Sequence, residues 1–157
     1  MTDDASAELP EPSLPYVAGR LDRVVRTRIE QAVAPLELSV SQYTVLSVLA
    51  RQPFLSNAQL ARRAFVSPQS MNETLLGLEG RELVRRRVDP THGRIRRTEL
   101  TAKGRRVVER SDREVGSVEA AMTAGMTDRQ RKTLRALMML AVRNLDGGFP
   151  PRQGPGA

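Results

Sequence analysis

Residues 56–100 read SNAQLARRAFVSPQSMNETLLGLEGRELVRRRVDPTHGRIRRTEL, and the architecture of the chain turns on this stretch. Ser56-Asn57-Ala58-Gln59 has the spacing of a capping box. The serine oxygen accepts a backbone N–H three residues on, and the glutamine reaches back to the serine amide. A helix therefore opens at Ser56 and runs through Ala58, Leu60, Ala61 and Ala64. Ser67-Pro68 opens a second helix: serine caps free amides, and proline at the first helical position forfeits no hydrogen bond. Met71, Leu75 and Leu78 recur at i, i+4 and i+7, the period of one buried helical face. Leu83-Val84-Arg85-Arg86-Arg87-Val88 and Arg94-Ile95-Arg96-Arg97-Thr98-Glu99-Leu100 then flank Asp89-Pro90-Thr91-His92-Gly93. Proline and glycine between two β-branched runs predict a hairpin.

Gln69, Ser70, Asn72 and Glu73 fall mostly opposite the apolar face of the second helix. Such short polar side chains read base edges: Asn and Gln suit adenine, and Glu accepts from cytosine N4. Along the hairpin, Arg81, Arg85, Arg86, Arg87, Arg94, Arg96 and Arg97 are opposed only by Glu82, Asp89 and Glu99. A polar-faced helix beside a cationic ribbon suits double-stranded DNA, with the helix in the major groove and the ribbon on phosphates and minor groove. The candidate DNA contacts are Ser67, Pro68, Gln69, Ser70, Asn72 and Glu73 on the helix, and Arg85, Arg87, His92, Arg94 and Arg96 on the hairpin. Each feature also has a plainer reading, as a solvated helix face and as an edge strand whose charge resists aggregation. Their combination favours DNA.

At this point the chain resembles the MarR family of winged helix-turn-helix regulators. The resemblance rests on Leu60-Ala61-Arg62-Arg63, Val66-Ser67-Pro68-Gln69-Ser70-Met71-Asn72, Leu78-Glu79 with Leu83-Val84, Asp89-Pro90 with Gly93-Arg94, and Leu100-Thr101 with Gly104. The order of flanking helices extends it from Pro15 to Leu145. It implies a mainly α fold with a small β-hairpin wing, a winged helix-turn-helix with terminal dimerisation helices. It also implies a transcriptional regulator, most often a repressor, with a small aromatic or anionic effector in a cleft between the dimer helices and the DNA-binding lobe. Tyr16, Arg20, Tyr43 and Leu46 are the candidates to line that cleft. Two positions depart from the family pattern. Glu82 stands where glycine usually precedes the Leu-Val pair, so it is expected in left-handed backbone. His92 stands where many members carry an aspartate two residues before the wing arginine, which leaves Arg94 short of one local carboxylate.

The 157 residues suffice for one domain with a real core. The formal net charge of +7 favours an anionic partner, although solubility alone can explain a basic balance. Cysteine is absent and His92 is the only histidine, so disulfides, thiol chemistry and a closed zinc site are excluded. No Gly-rich phosphate loop or G-x-S-x-G elbow occurs, so no catalytic residue, metal or cofactor is expected. No apolar run is long enough for a membrane span and no signal pattern opens the chain, which makes a cytoplasmic location the expectation.

Met1–Leu14 is acidic and then proline-spaced, and reads as a disordered arm. A helix over 15–34 carries Val17, Leu21, Val24, Val25, Ile29 and Val33, and Pro35 ends or breaks it. Ser39-Val40-Ser41-Gln42 is a second capping box, opening a helix with Tyr43, Leu46, Leu49 and Ala50. Thr101 caps a long helix whose middle, Ser111 to Arg113, is expected to be exposed. Thr127-Asp128-Arg129-Gln130 is a third capping box, and Leu134, Leu137, Met138, Ala141, Val142 and Leu145 form the cleanest helical stripe. The domain is thus expected over 15–146, with a DNA-binding lobe over 37–100, dimerisation helices over 15–34 and 101–146, and a disordered tail over 147–157. Most of Tyr16, Tyr43, Phe54 and Phe65 are expected in the core. The outer helices carry more apolar surface than one small core needs, which predicts a two-fold homodimer, and hence a palindromic operator. The rival reading is a protein-interaction module on a winged-helix scaffold; a further variant binds DNA without any effector.

Overall fold

The computed structural model describes residues 11–91 and 93–145. Most of the expected N-terminal arm, the turn residue His92 and the expected tail lie outside the described residues. The elements in order are α1 (Leu14–Val33), a 3₁₀ turn (Ala34–Leu36), α2 (Val40–Arg51), β1 (Leu55–Ser56), α3 (Asn57–Ala64), α4 (Pro68–Gly80), β2 (Val84–Val88), β3 (Arg96–Leu100), α5 (Ala102–Met122) and α6 (Asp128–Leu145). Two compact units emerge, one up to Val118 and one from Glu119.

Local chemistry sets most of the boundaries. Ser13 caps α1, whose first residue, Leu14, lies one before the expected start, and Pro35 lies inside the 3₁₀ turn rather than simply closing the helix. Ser39 with Gln42 and Ser56 with Gln59 both form complete capping boxes. Phe65 ends α3 in left-handed backbone (φ 54°), and Val66 N–H donates to Ala61 O at 3.1 Å, closing the helix end. Glu82 does the same after α4: its φ is 58°, and Leu83 N–H donates to Leu78 O at 2.9 Å. The left-handed expectation for Glu82 therefore holds. Its side chain is exposed and pairs with Lys103 at 3.6 Å. Glu82→Gly should accordingly raise stability by about 1 kcal/mol, since glycine escapes the Cβ strain and a surface ion pair contributes little. Thermal denaturation checks this; a fall in melting temperature would contradict it.

The arginine-rich segments form a β2–β3 hairpin in which Val84 faces Leu100, Arg85 faces Glu99 and Arg86 faces Thr98. The hairpin is not isolated. β1 pairs antiparallel with β3, Leu55 opposite Thr98, giving a three-stranded sheet in the order β1-β3-β2. Leu46, Leu49, Leu60, Met71, Leu75, Leu78 and Leu83 fill the core between α2, α3, α4 and this sheet. Thr101 joins β3 to α5: its backbone N–H donates to Leu83 O at 3.0 Å, and its hydroxyl accepts from Gly104 N–H at 3.0 Å.

Three expectations need correction. Ser111, expected in an exposed polar stretch, is 0% exposed. Its hydroxyl donates to Val107 O at 2.9 Å, so burial leaves no donor unpaired. Phe54 and Phe65, expected in the core, are exposed, as is Tyr16. Both phenylalanines sit at element ends in left-handed backbone, φ 62° and 54°, which turns their side chains out of the packing layers. Leu46, expected to line a ligand cleft, is 0% exposed and belongs to the core.

In the second unit, the Thr127 box caps α6, with Thr127 N–H donating to Gln130 Oε1 at 2.8 Å. α6 has no buried residue among those described, and Leu137, Met138, Met139, Leu140, Val142 and Leu145 are all exposed on the single chain. In the first unit, Leu14, Tyr16, Val17 and Val24 of α1 are exposed in the same way.

Candidate nucleic-acid interface

α3 and α4 meet through a turn that side chains hold. Asn57 Nδ2 donates to Pro68 O at 2.9 Å, tying the start of α3 to the start of α4. Ser67 caps α4: its oxygen accepts from Ser70 N–H at 3.1 Å and its hydroxyl donates to Ser70 Oγ at 3.0 Å. Met71, Leu75 and Leu78 anchor one side of α4 in the core. Gln69, Ser70, Asn72 and Glu73 are all exposed on the other, so the structure brings together the four polar side chains that the periodicity placed on one face.

Geometry sorts the arginines, which composition could not. Arg81 caps the 3₁₀ turn, donating to Glu37 O at 2.6 Å and Leu36 O at 3.1 Å. Arg86 donates through Nε to Glu79 Oε2 at 2.8 Å and through Nη1 to Asn72 Oδ1 at 3.1 Å, linking β2 to α4. Arg97 donates to Asp89 Oδ2 at 2.7 Å and Gln59 Oε1 at 3.1 Å, linking the sheet to α3. These three hold the lobe together. Arg85 and Arg87, candidates for DNA, both reach Glu99, at 2.7 and 3.3 Å, yet stay more than half exposed. Arg94 and Arg96 are exposed and make no ion pair among the described residues. The carboxylate of the turn, Asp89, serves Arg97 and the Thr91 N–H, at 2.8 Å, rather than Arg94.

The hydrogen bond from Arg85, with the fields of Arg85, Arg87 and Arg105, holds the Glu99 carboxyl below the ordinary carboxylate range. A depressed carboxyl stabilises the fold while ionised. Its contribution is present above the unfolded pKa and is lost as pH falls through the folded one. Acidification should therefore weaken the pairing of Glu99 with Arg85 and Arg87.

On the single chain the effector candidates differ in their surroundings. Tyr16 and Arg20 are exposed on α1, and Leu46 is inside the core. Tyr43 donates its hydroxyl to Asp112 Oδ1 of α5 at 2.9 Å, and burial together with that carboxylate pushes the phenol above its ordinary range. A cleft of about 370 Å³ lies close by, lined by Leu49, Pro53, Leu100 and Val108 with Glu99, Arg105 and Asp112. None of the four candidates lines it; one face of α5 (Arg105, Val108, Asp112) meets the ends of α2 and β3 there, a meeting that depends on tertiary packing. Among the described residues no cluster of three or more metal-ligating side chains occurs, and no single helix is long and apolar enough to cross a membrane.

The capped α3–turn–α4 pair, with an exposed polar face beside a cationic three-stranded wing, defines a winged helix-turn-helix protein. A MarR family model matches residues 36–95. HTH-type transcriptional repressor Rv2887 of Mycobacterium tuberculosis is 34% identical over 125 residues, which is 80% of this chain and 90% of the relative. Its crystal structure in complex with DNA superposes with a TM-score of 0.70 at 30% identity, covering 83% of this chain and 98% of that one. The structure with p-aminosalicylic acid gives 0.69 at 34% identity, covering 83% and 99%. The chain belongs to the MarR family of transcriptional regulators.

Proposed function

We propose that this protein is a homodimeric repressor that binds a palindromic operator and is released by a small aromatic or anionic effector. The observation that carries the reading is the pairing of an exposed Gln69–Glu73 face on α4 with two exposed wing cations, Arg94 and Arg96, that no carboxylate neutralises among the described residues. In this reading α4 enters the major groove, the wing reaches the minor groove or flanking phosphates, and the exposed faces of α1 and α6 join two chains. Phosphate contacts supply most of the affinity and α4 chooses the site. The M. tuberculosis relative, captured both with DNA and with p-aminosalicylic acid, supports both halves. An effector acts by preferring one spacing of the two lobes, because only differential affinity moves an equilibrium. A chromosomal DNA partner supports a cytoplasmic location, and no step of this reading calls for catalysis or a cofactor.

Arg94→Ala tests the wing. The variant should fold normally and weaken binding to operator and scrambled DNA alike. The plot of log affinity against log salt should become shallower by about one unit, the release of about one counterion. Fluorescence anisotropy on a footprinted operator reads both quantities; an unchanged slope and affinity would mean that Arg94 does not touch DNA.

A further inference from the structure

Asn72 sits in the middle of the exposed face of α4, and its amide is not free to turn. The Arg86 guanidinium, nearly buried, gives Nε and Nη2 to Glu79 Oε2 and Nη1 to Asn72 Oδ1, the last at 3.1 Å. Glu79 follows Asn72 by seven residues, two turns along the same side of α4, so one helix holds both ends of the guanidinium. Arginine has donors only, so the Asn72 atom that faces it is the oxygen; the flipped amide would set N–H against N–H. The paired Glu79 carboxylate fixes the guanidinium in turn. Asn72 therefore keeps its oxygen toward the wing strand and its Nδ2 donors for whatever approaches the exposed face.

Asparagine reads adenine by accepting from N6 and donating to N7 together. Here the accepting atom already carries a charge-assisted bond, and the adjacent cation repels a second donor. The carboxamide, polarised by that bond, is left a better donor. We propose that Arg86 is a positioning residue that makes Asn72 a donor-only reader of a major-groove acceptor (guanine N7 or thymine O4) and not of the paired N6-donor and N7-acceptor edge of adenine. This rests on the operator-binding reading above and names the base chemistry of that same site.

Base analogues test it. Full-length protein is titrated by fluorescence anisotropy against its footprinted operator, with single acceptors or donors deleted: 7-deazaguanine for guanine, a thymine analogue lacking O4, and purine for adenine. Wild type is compared with Asn72→Ala. At one pair in each half-site, loss of the acceptor should weaken wild type about tenfold and leave Asn72→Ala unmoved. Removal of the adenine amino group should nowhere distinguish the two proteins. Arg86→Gln, with its fold checked by a circular dichroism melt, should lose discrimination at that pair and keep it elsewhere. Should that variant fail to fold, the comparison of wild type with Asn72→Ala still decides. A penalty for losing adenine N6 that depends on Asn72, or an analogue profile indifferent to Asn72, would overturn the proposal while operator binding stands. Wild type that binds operator and scrambled DNA equally would overturn the operator-binding reading, and this inference with it.

Discussion

Gly104→Ala should destabilise the protein by about 3 kcal/mol, lowering the melting temperature by roughly 6–12 °C. A Cβ built at Gly104 would lie 1.9 Å from Leu83 O and 2.9 Å from Leu83 C. The clash is with backbone, so no rotamer relieves it. Leu83 O also accepts from Thr101 N–H at 3.0 Å and Thr101 Oγ1 at 3.2 Å, so moving it breaks the junction between the wing and α5. Leu83 itself is buried in the core and cannot shift outward without opening a void. Alanine's better helix propensity offsets only about 1 kcal/mol of this. Calorimetry of wild type and variant provides the check, and an unchanged or raised melting temperature would show that α5 does not approach the wing this closely.

The second large effect is expected from Leu137→Asp with Val142→Asp. On the single chain these side chains are 58% and 40% exposed, on a helix with no buried residue among those described. So much apolar surface on one helix marks an interaction face. If two copies cover it, each aspartate buries an unpaired charge at the contact. Dimerisation should be lost, and operator affinity should fall by about 10²–10⁴, because the second half-site is no longer held at high effective concentration. Sedimentation velocity and anisotropy on the same samples give both readouts. A double variant that still sediments as a dimer and binds normally would place the dimer contact elsewhere.

Local signals were legible in the sequence because they act over three or four residues. The boxes at Ser39, Ser56 and Thr127, and the Ser67-Pro68 start, appear as expected. The left-handed Glu82 was visible as a residue standing where glycine belongs. Non-local features were not. β1 is two residues long, too short to show a period, and exists only because β3 offers it an edge. The sequence shows seven arginines around the hairpin, but which are pinned depends on carboxylates seven to fourteen residues away and, for Arg81, on carbonyls 44 and 45 residues away. Arg86 and Arg97 look no different from Arg94 and Arg96 until the sheet and helices meet. Ser111 failed for the opposite reason: a hydroxyl that bonds its own helix can be buried without penalty, so polarity was a poor guide to exposure. Leu46 lies on the apolar stripe of α2 and was a cleft candidate only through the family resemblance; packing puts it in the core.

α4 and the wing together should read one DNA sequence above others. The most direct measurement is affinity for the footprinted operator and for a scrambled duplex of equal length, each titrated across a salt series. Operator binding should be tighter by at least about 10³-fold, with both affinities falling steeply and linearly in log salt. Equal affinity for the two duplexes, or no salt-dependent binding to either, would contradict it.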